Sequence, residues 1–192
     1  MTKVAILDQT RLAQGRFKLS VTRVRIAAPG RAPREITHEV YSYGPAAAIL
    51  LYDSERGVVL LVRQFRLGAY LADGSTDVLE VCAGMLDGDD PATCALREAR
   101  EETGVEIAAA QFAFNAFMSP GGTSETIACF VAPYRLADRR GAGGGVDADE
   151  DIEIVELGFA QALAMIEAGA IRDAKTIALI YYANAKGLLR VA

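Results

Sequence analysis

Histidine, cysteine and tryptophan are scarce in this sequence of 192 residues, which has one histidine, three cysteines and no tryptophan. The single histidine, His38, excludes a metal site built from several histidines and any mechanism that needs two catalytic histidines. A lone histidine on a strand is more often structural. General acid–base chemistry must therefore come from carboxylates or from water bound to a metal ion.

The three cysteines are Cys82, Cys94 and Cys129. Their number is odd and their spacing is not that of a metal site, which predicts buried thiols in a reducing compartment. We interpret Cys82 and Cys94 as core residues rather than nucleophiles, and we expect the protein to be cytoplasmic.

Basic clusters and long apolar runs are also missing. Lysine and arginine total 20 against 25 acidic residues, for a net charge of −5, which argues against a nucleic-acid partner. No stretch reaches the roughly 18 uncharged apolar residues of a membrane span, and the N-terminus lacks the pattern of a signal peptide. We therefore expect no nucleic-acid partner and no association with a membrane.

The sequence does contain enough apolar residues for a folded core, at 52% of the chain. Within the first 45 residues, the runs 17–26 and 34–41 alternate apolar and polar side chains, as half-exposed antiparallel strands do. A few strands alone bury little surface. We therefore assign residues 1–45 to an N-terminal antiparallel β extension that packs on the rest of the chain or on another subunit.

Residues 46–192 have a different pattern and form the predicted main domain. The runs 46–52 and 58–65 are almost continuously apolar, which is typical of strands buried on both faces. Further predicted strands are 112–117, 126–132 and 152–157, and the predicted helices are 91–103, 159–167 and 173–185. This order predicts an α/β fold in which helices enclose a mixed sheet as an α/β/α sandwich.

Three glutamates, Glu98, Glu101 and Glu102, crowd the predicted helix 91–103. Glu98 and Glu102 are four residues apart and share a helical face, where like charges destabilise a helix by roughly 0.2–0.5 kcal/mol per pair. Such a face is either solvated or neutralised by a hard divalent cation, because carboxylate oxygens are the ligands that Mg²⁺ prefers.

The segment around these glutamates resembles the Nudix box, G-x5-E-x7-R-E-U-x-E-E-x-G-U, where U is apolar. Its second half matches throughout, at Arg97, Glu98, Ala99, Glu101, Glu102, Gly104 and Val105. Its first half is one residue short between Gly84 and Arg97, and Asp89 stands in place of the glutamate of the pattern. The resemblance implies the Nudix fold and a hydrolase that depends on Mg²⁺, with Mn²⁺ as the alternative.

Other features narrow the resemblance within the Nudix family. The position of Pro120 after the box is similar to that in the ADP-ribose pyrophosphatase branch. The shortened box and the stretches 142–146 and 168–176 resemble the GDP-mannose pyrophosphatase group. The resemblance implies hydrolysis of a nucleoside diphosphate sugar, with GDP-mannose as the first candidate and ADP-ribose as the second. The competing interpretations are a Nudix-fold binding module without hydrolysis, and an enzyme that cleanses nucleoside triphosphates.

The resemblance also implies roles for individual residues. The implied metal ligands are the Ala83 carbonyl, Glu98, Glu101, Glu102 and Glu150. The implied catalytic residues are Glu98, Glu102, Asp149 and Asp151, with the choice of general base left open among Asp147, Asp149 and Asp151. The implied substrate contacts are Arg63, Arg66, Gly84, Met85, Glu125, Asp149 and Lys175. We also expect Arg97 to brace the box loop through Asp89, and we expect a homodimer in which the N-terminal strands cover the partner's site.

Several of these segments also have an ordinary structural interpretation. Arg63 and Arg66 end a buried strand, where arginines either lie at the surface or bind phosphate. The Pro-Gly-Gly run at 120–122 is either a simple turn or a loop whose amides face a ligand. The glycine-rich, acidic stretch 141–151 lacks the Gly-Lys-[Ser/Thr] of a P-loop, and its acids are either solvated or supply a metal ligand and a base.

Overall fold

The computed structural model describes residues 1–146 and 151–189, which divide into two compact units. The first unit comprises Met1–Pro45 and Phe117–Thr126, and the second comprises Ala46–Ala116 and Ile127–Ala192. The boundaries proposed from the sequence, 1–45 and 46–192, and the dimerisation role of the first segment stay predictions.

The first unit contains an antiparallel sheet of three strands, β1 (Lys3–Gln14), β2 (Lys18–Ala27) and β3 (Arg34–Ser42), in the order β1-β2-β3. The two strands read from alternating side chains are therefore confirmed. The segment around Gly122 joins this unit because the Tyr41 amide donates to the Gly122 carbonyl at 2.8 Å and the Ser124 amide donates to the Tyr41 carbonyl at 3.1 Å.

A mixed sheet dominates the second unit. Its described strands are β4 (Ala46–Asp53), β5 (Val58–Gln64), β6 (Val78–Glu80), β7 (Cys82–Met85), β8 (Gln111–Phe117), β9 (Thr126–Pro133) and β10 (Glu153–Gly158). The main order is β10-β5-β4-β9-β8, with β6 beside β5 and β7 beside β4. The β4–β9 pair is parallel and the β4–β5 pair is antiparallel, so the predicted mixed sheet is confirmed.

Helices cover both faces of this sheet. The described helices are α1 (Leu67–Asp73), α2 (Pro91–Thr103), α3 (Phe159–Glu167) and α4 (Ala174–Ala185), and a short 3-10 helix spans Leu136–Asp138. Both α2 and α4 pack against β4, whose alternate side chains point to opposite faces. Ile49 and Leu51 share a core with Ala95 of α2. The predicted α/β class with helices around a mixed sheet is confirmed.

The sequence did not predict α1. Leu67, Tyr70 and Leu71 have the i, i+3, i+4 spacing of a helical face. The helix is only 7 residues long and buries none of them, so this spacing is too brief to stand out in the sequence. Within the described residues, no helix is both long enough and apolar enough to cross a bilayer.

Candidate metal and phosphate site

Helix α2 places two carboxylates of the box in the protein interior. Its ends are fixed locally, because the Asp90 side chain accepts from the amides of Ala92 and Thr93 and Gly104 ends the helix with φ of 71°. Glu98 is 9% exposed and Glu102 is 3% exposed, on the face that packs into the core. Burial of two carboxylates this close demands compensating charge or protonation.

Glu102 is not fully compensated by the described part of the protein. Its Oε2 atom is buried and has no hydrogen-bond partner there. Burial and the charge of Glu98 raise the pKa of Glu102 to about 8, although a hydrogen bond from the Cys82 thiol acts in the opposite direction. An orphaned buried carboxylate oxygen beside a second carboxylate fits a cation ligand.

Gly84 forms part of the cradle around Glu98. A Cβ atom at this position would lie 2.0 Å from Glu98 Oε1, so only glycine lets the β7 backbone approach the carboxylate this closely. The Arg97 guanidinium also contacts Glu98 Oε1, at 2.8 Å. The donor set therefore suits a divalent cation, although no cluster of three His, Cys, Asp or Glu side chains within 1–146 and 151–189 has the spacing of a formed metal site.

Arg97 braces the box loop, as the sequence predicted. Its guanidinium contacts Asp89 Oδ2 at 3.2 Å and Glu101 Oε2 at 3.1 Å, and it donates to the Met85 carbonyl at 3.0 Å. The shortened loop closes through Asp87, which adopts φ of 47°, a conformation that aspartate tolerates better than most residues. Asp89, which stands in place of the glutamate of the pattern, is thus one of the partners of Arg97.

The glycine-rich segment after residue 140 caps the C-terminal end of α2. The amides of Gly144 and Gly145 donate to the carbonyls of Glu102 and Glu101 at 2.9 and 3.1 Å. A Cβ atom at Gly143, whose φ is +67°, would lie 2.6 Å from the Glu102 carbonyl oxygen. The glycines therefore allow the loop backbone to satisfy helix-end carbonyls, which sequence reasoning missed.

The acids that follow this segment are only partly described. Asp147, Asp149 and Glu150 lie outside the described residues, whereas Asp151 is described and exposed. The metal role of Glu150 and the choice of base among Asp147, Asp149 and Asp151 stay predictions.

A second charged cluster surrounds Arg66. The Arg66 guanidinium donates to both carboxylate oxygens of Glu80, at 2.7 and 3.2 Å, and the Lys175 ammonium donates to Glu80 at 2.6 Å and to Asp173 at 2.9 Å. Burial favours neutral Glu80 and Lys175, but the opposite charges outweigh it, so the pKa of Glu80 is lowered and that of Lys175 is raised. Sequence reasoning found Arg66 and Lys175 but missed both acids, although Asp173 precedes a helix as N-caps do.

The remaining predicted substrate contacts lie in different surroundings. Arg63 on β5 is ion-paired with Glu153 at 2.7 Å and lies 3.6 Å from Asp77. Met85 ends β7 and its carbonyl accepts from Arg97, while Glu125 belongs to the first unit. A cavity of about 420 Å³ borders Arg66. The substrate contacts predicted for Arg63, Arg66, Met85, Glu125 and Lys175 stay predictions.

The cysteines occupy core positions, as predicted. Cys82, Cys94 and Cys129 are buried free thiols. Burial raises the pKa of Cys94 to about 11 and that of Cys129 to about 12, and it raises the pKa of Cys82 well above its usual value. Thiols with such pKa values are neutral near pH 7, which excludes them as thiolate nucleophiles.

The sequence and the fold of this chain match those of known proteins. The family model described as NUDIX domain matches residues 42–179. GDP-mannose pyrophosphatases of Citrobacter koseri and Escherichia coli are each 47% identical over 152 residues, which is 79% of this chain and 79% of each relative. A crystal structure of an ADP compounds hydrolase has a TM-score of 0.76 at 20% identity, over 98% of this chain and 97% of that one, which shows the shared fold. The chain belongs to the Nudix family.

Proposed function

We propose that this protein hydrolyses the pyrophosphate bond of a nucleoside diphosphate sugar. The first candidate substrate is GDP-mannose, which would give GMP and mannose 1-phosphate, and ADP-ribose is the alternative. The observation that carries the proposal is the buried pair Glu98 and Glu102 inside a matching Nudix box. The Oε2 atom of Glu102 has no hydrogen-bond partner among the described residues and calls for a cation. Relatives named GDP-mannose pyrophosphatase, at 47% identity, support the choice of substrate.

The proposed metal ligands are Glu98, Glu102 and the Ala83 carbonyl, with Glu101 and Glu150 as further donors. Oxygen donors suit Mg²⁺ first and Mn²⁺ as the alternative. When bound, such a cation supplies positive charge against the diphosphate and lowers the pKa of water. Arg97 donates to Glu101 at 3.1 Å, and this contact would hold the Glu101 carboxylate in place as a further metal donor.

The chain's own side chains supply the rest of the chemistry. In the proposed reaction, water adds to one phosphorus, the bridging P–O bond breaks, and a carboxylate of segment 147–151 accepts the proton from water. Asp149 and Asp151 are the first candidates for this base. Arg66 is the proposed diphosphate contact, since a guanidinium binds phosphate oxygens bidentately and this one is 45% exposed.

A substrate panel tests the proposal. GDP-mannose, ADP-ribose, ADP-glucose and an oxidised deoxynucleoside triphosphate are offered with Mg²⁺, and the products are identified by chromatography. We expect the highest kcat/KM for GDP-mannose, with GMP as a product, and near-complete loss of turnover in Glu102→Gln. Preference for the triphosphate, or unchanged turnover in Glu102→Gln, would contradict the proposal.

We also propose a cytoplasmic homodimer. The free thiols support a reducing compartment. Exposed Val4, Ile6 and Leu12 on the edge strand β1 support a partner for the first unit. Gel filtration over a range of protein concentrations should give the mass of a dimer, and monomer mass throughout would contradict the assembly.

A further inference from the structure

Glu80 lies outside the matching half of the Nudix box, yet its carboxylate joins two cations at the site. The residue is 3% exposed at the end of β6. One oxygen accepts from Arg66 Nε at 2.7 Å, and the other accepts from Arg66 Nη2 at 3.2 Å and from Lys175 Nζ at 2.6 Å. Glu80 therefore links the residue before α1 to the first turn of α4.

Further hydrogen bonds fix Lys175 and the start of α4 next to Glu80. Lys175 also donates to Asp173 at 2.9 Å, and Asp173 caps α4 by accepting from the Thr176 amide at 3.0 Å. The Thr176 hydroxyl in turn accepts from the amide of Val81, the neighbour of Glu80, at 2.8 Å. The network closes on itself, so the Glu80 carboxylate is held from both its own strand and α4.

Arg66 is the member of this network that can reach a ligand. Its side chain is 45% exposed, whereas those of Glu80 and Lys175 are 4% and 12% exposed. It borders the cavity of about 420 Å³, and its guanidinium has more N–H donors than Glu80 uses.

We propose that Glu80 is a positioning residue that fixes the Arg66 guanidinium for the diphosphate of the substrate, with Lys175 and Asp173 holding Glu80. The inference rests on the proposed function, in which Arg66 binds the diphosphate. A bidentate carboxylate sets the plane of a guanidinium. A side chain fixed before binding loses less entropy when the ligand arrives, so affinity rises without a new contact.

A double-mutant cycle tests whether Glu80 acts through Arg66. The affinity for GDP with Mg²⁺ is measured by calorimetry for the unaltered protein, Glu80→Gln, Arg66→Gln and the double variant. We expect Glu80→Gln to weaken GDP binding about tenfold, and to weaken it less than about twofold further when Arg66 is already glutamine. Equal weakening in both backgrounds, no weakening by Glu80→Gln, or no GDP binding by the unaltered protein would overturn the proposal.

Glu156→Gln is the matched control. Glu156 accepts from both terminal nitrogens of Arg56, at 2.6 and 2.8 Å, and from the Tyr134 hydroxyl at 2.6 Å. This substitution therefore also disrupts a carboxylate that is held by two hydrogen bonds from one guanidinium. Glu156→Gln should lower the melting temperature and leave GDP affinity unchanged. Glu80→Gln would give the same result if the role of Glu80 were only structural. If Glu80→Gln does not fold, Glu80→Asp, which keeps the charge and withdraws the carboxylate, takes its place in the cycle.

The proposed function is tested separately, by hydrolysis of GDP-mannose by the unaltered protein. Absence of hydrolysis together with a coupled cycle would reject the reaction and keep the positioning role. Hydrolysis together with an uncoupled cycle would keep the reaction and reject the positioning role.

Discussion

Replacing Glu102 with glutamine should make the metal-free protein more stable while removing hydrolysis. Glu102 is 3% exposed, and its Oε2 atom lacks a partner among the described residues. Glutamine has nearly the same shape and carries no charge. The substitution therefore removes the cost of protonating a carboxylate on folding, a cost that burial and the charge of Glu98 impose. Few substitutions of a buried polar residue are expected to raise stability.

The size of the effect follows from the pKa of Glu102, raised from its usual 4.5 to about 8. Below about pH 4.5 the folded and unfolded chains both hold the proton, so this group does not affect the free energy of unfolding. Between about pH 4.5 and 8 only the unfolded chain releases it, so stability falls as pH rises. At about pH 7 the loss is about 3 kcal/mol, at about 1.4 kcal/mol per pKa unit.

The expected net gain for Glu102→Gln is smaller than this loss. A buried amide whose donors find no acceptor costs roughly 1 kcal/mol, which leaves about 2 kcal/mol of added stability near pH 7. Urea unfolding in excess EDTA, near pH 7 and again near pH 4, measures the difference. The gain should disappear at the lower pH, because Glu102 is then protonated in both states.

Glu156→Gln is the control with the opposite sign. Hydrogen bonds from Arg56 lower the pKa of Glu156, so that carboxylate stabilises the folded protein above its usual pKa and its removal should destabilise near pH 7. Added Mg²⁺ should stabilise the unaltered protein, by about 2.7 kcal/mol at a hundredfold excess over Kd, and should stabilise Glu102→Gln far less. If Glu102→Gln is less stable than the unaltered protein in EDTA at both pH values, burial of Glu102 does not carry the expected cost.

Two glycine substitutions give further predictions. Gly84→Ala would place a Cβ atom 2.0 Å from Glu98 Oε1, so we expect a loss of about 100-fold in kcat/KM from the displaced carboxylate, measured on GDP-mannose, and unchanged kcat/KM would contradict the cradle. Gly143→Ala should lower the free energy of unfolding by more than Gly57→Ala, because both have positive φ but only Gly143 would meet the Glu102 carbonyl, at 2.6 Å. Urea unfolding compares the two, and equal losses would contradict the role of that close approach.

Helix α2 shows what the sequence could predict about the site. Its bounds, Pro91–Thr103, agree with the prediction because Asp90 and Gly104 fix both ends locally. The shared burial of Glu98 and Glu102 follows from their spacing along the same helix. Patterns among residues that are close in the sequence were therefore sufficient to predict the fold class and the pair of carboxylates on α2.

Contacts between distant segments could not be predicted in this way. Glu80 and Lys175 are separated by 95 positions, and nothing near Glu80 in the sequence indicates its two cationic partners. The packing of the glycines near residue 143 against the end of α2 was not predicted, because these contacts form only in the folded chain. Helix α1 was not predicted because its 7 residues are too few for a helical repeat to be recognised.

The proposed function requires that the two buried carboxylates of α2, Glu98 and Glu102, hold a divalent cation. Electron paramagnetic resonance can follow the binding of Mn²⁺ to the metal-free protein, and this measurement does not depend on turnover. We expect saturable binding by the unaltered protein and by Glu156→Gln, and a loss of at least about 100-fold in affinity when Glu98 and Glu102 are both glutamine. Equal Mn²⁺ affinity in the unaltered protein and in the double variant would contradict it.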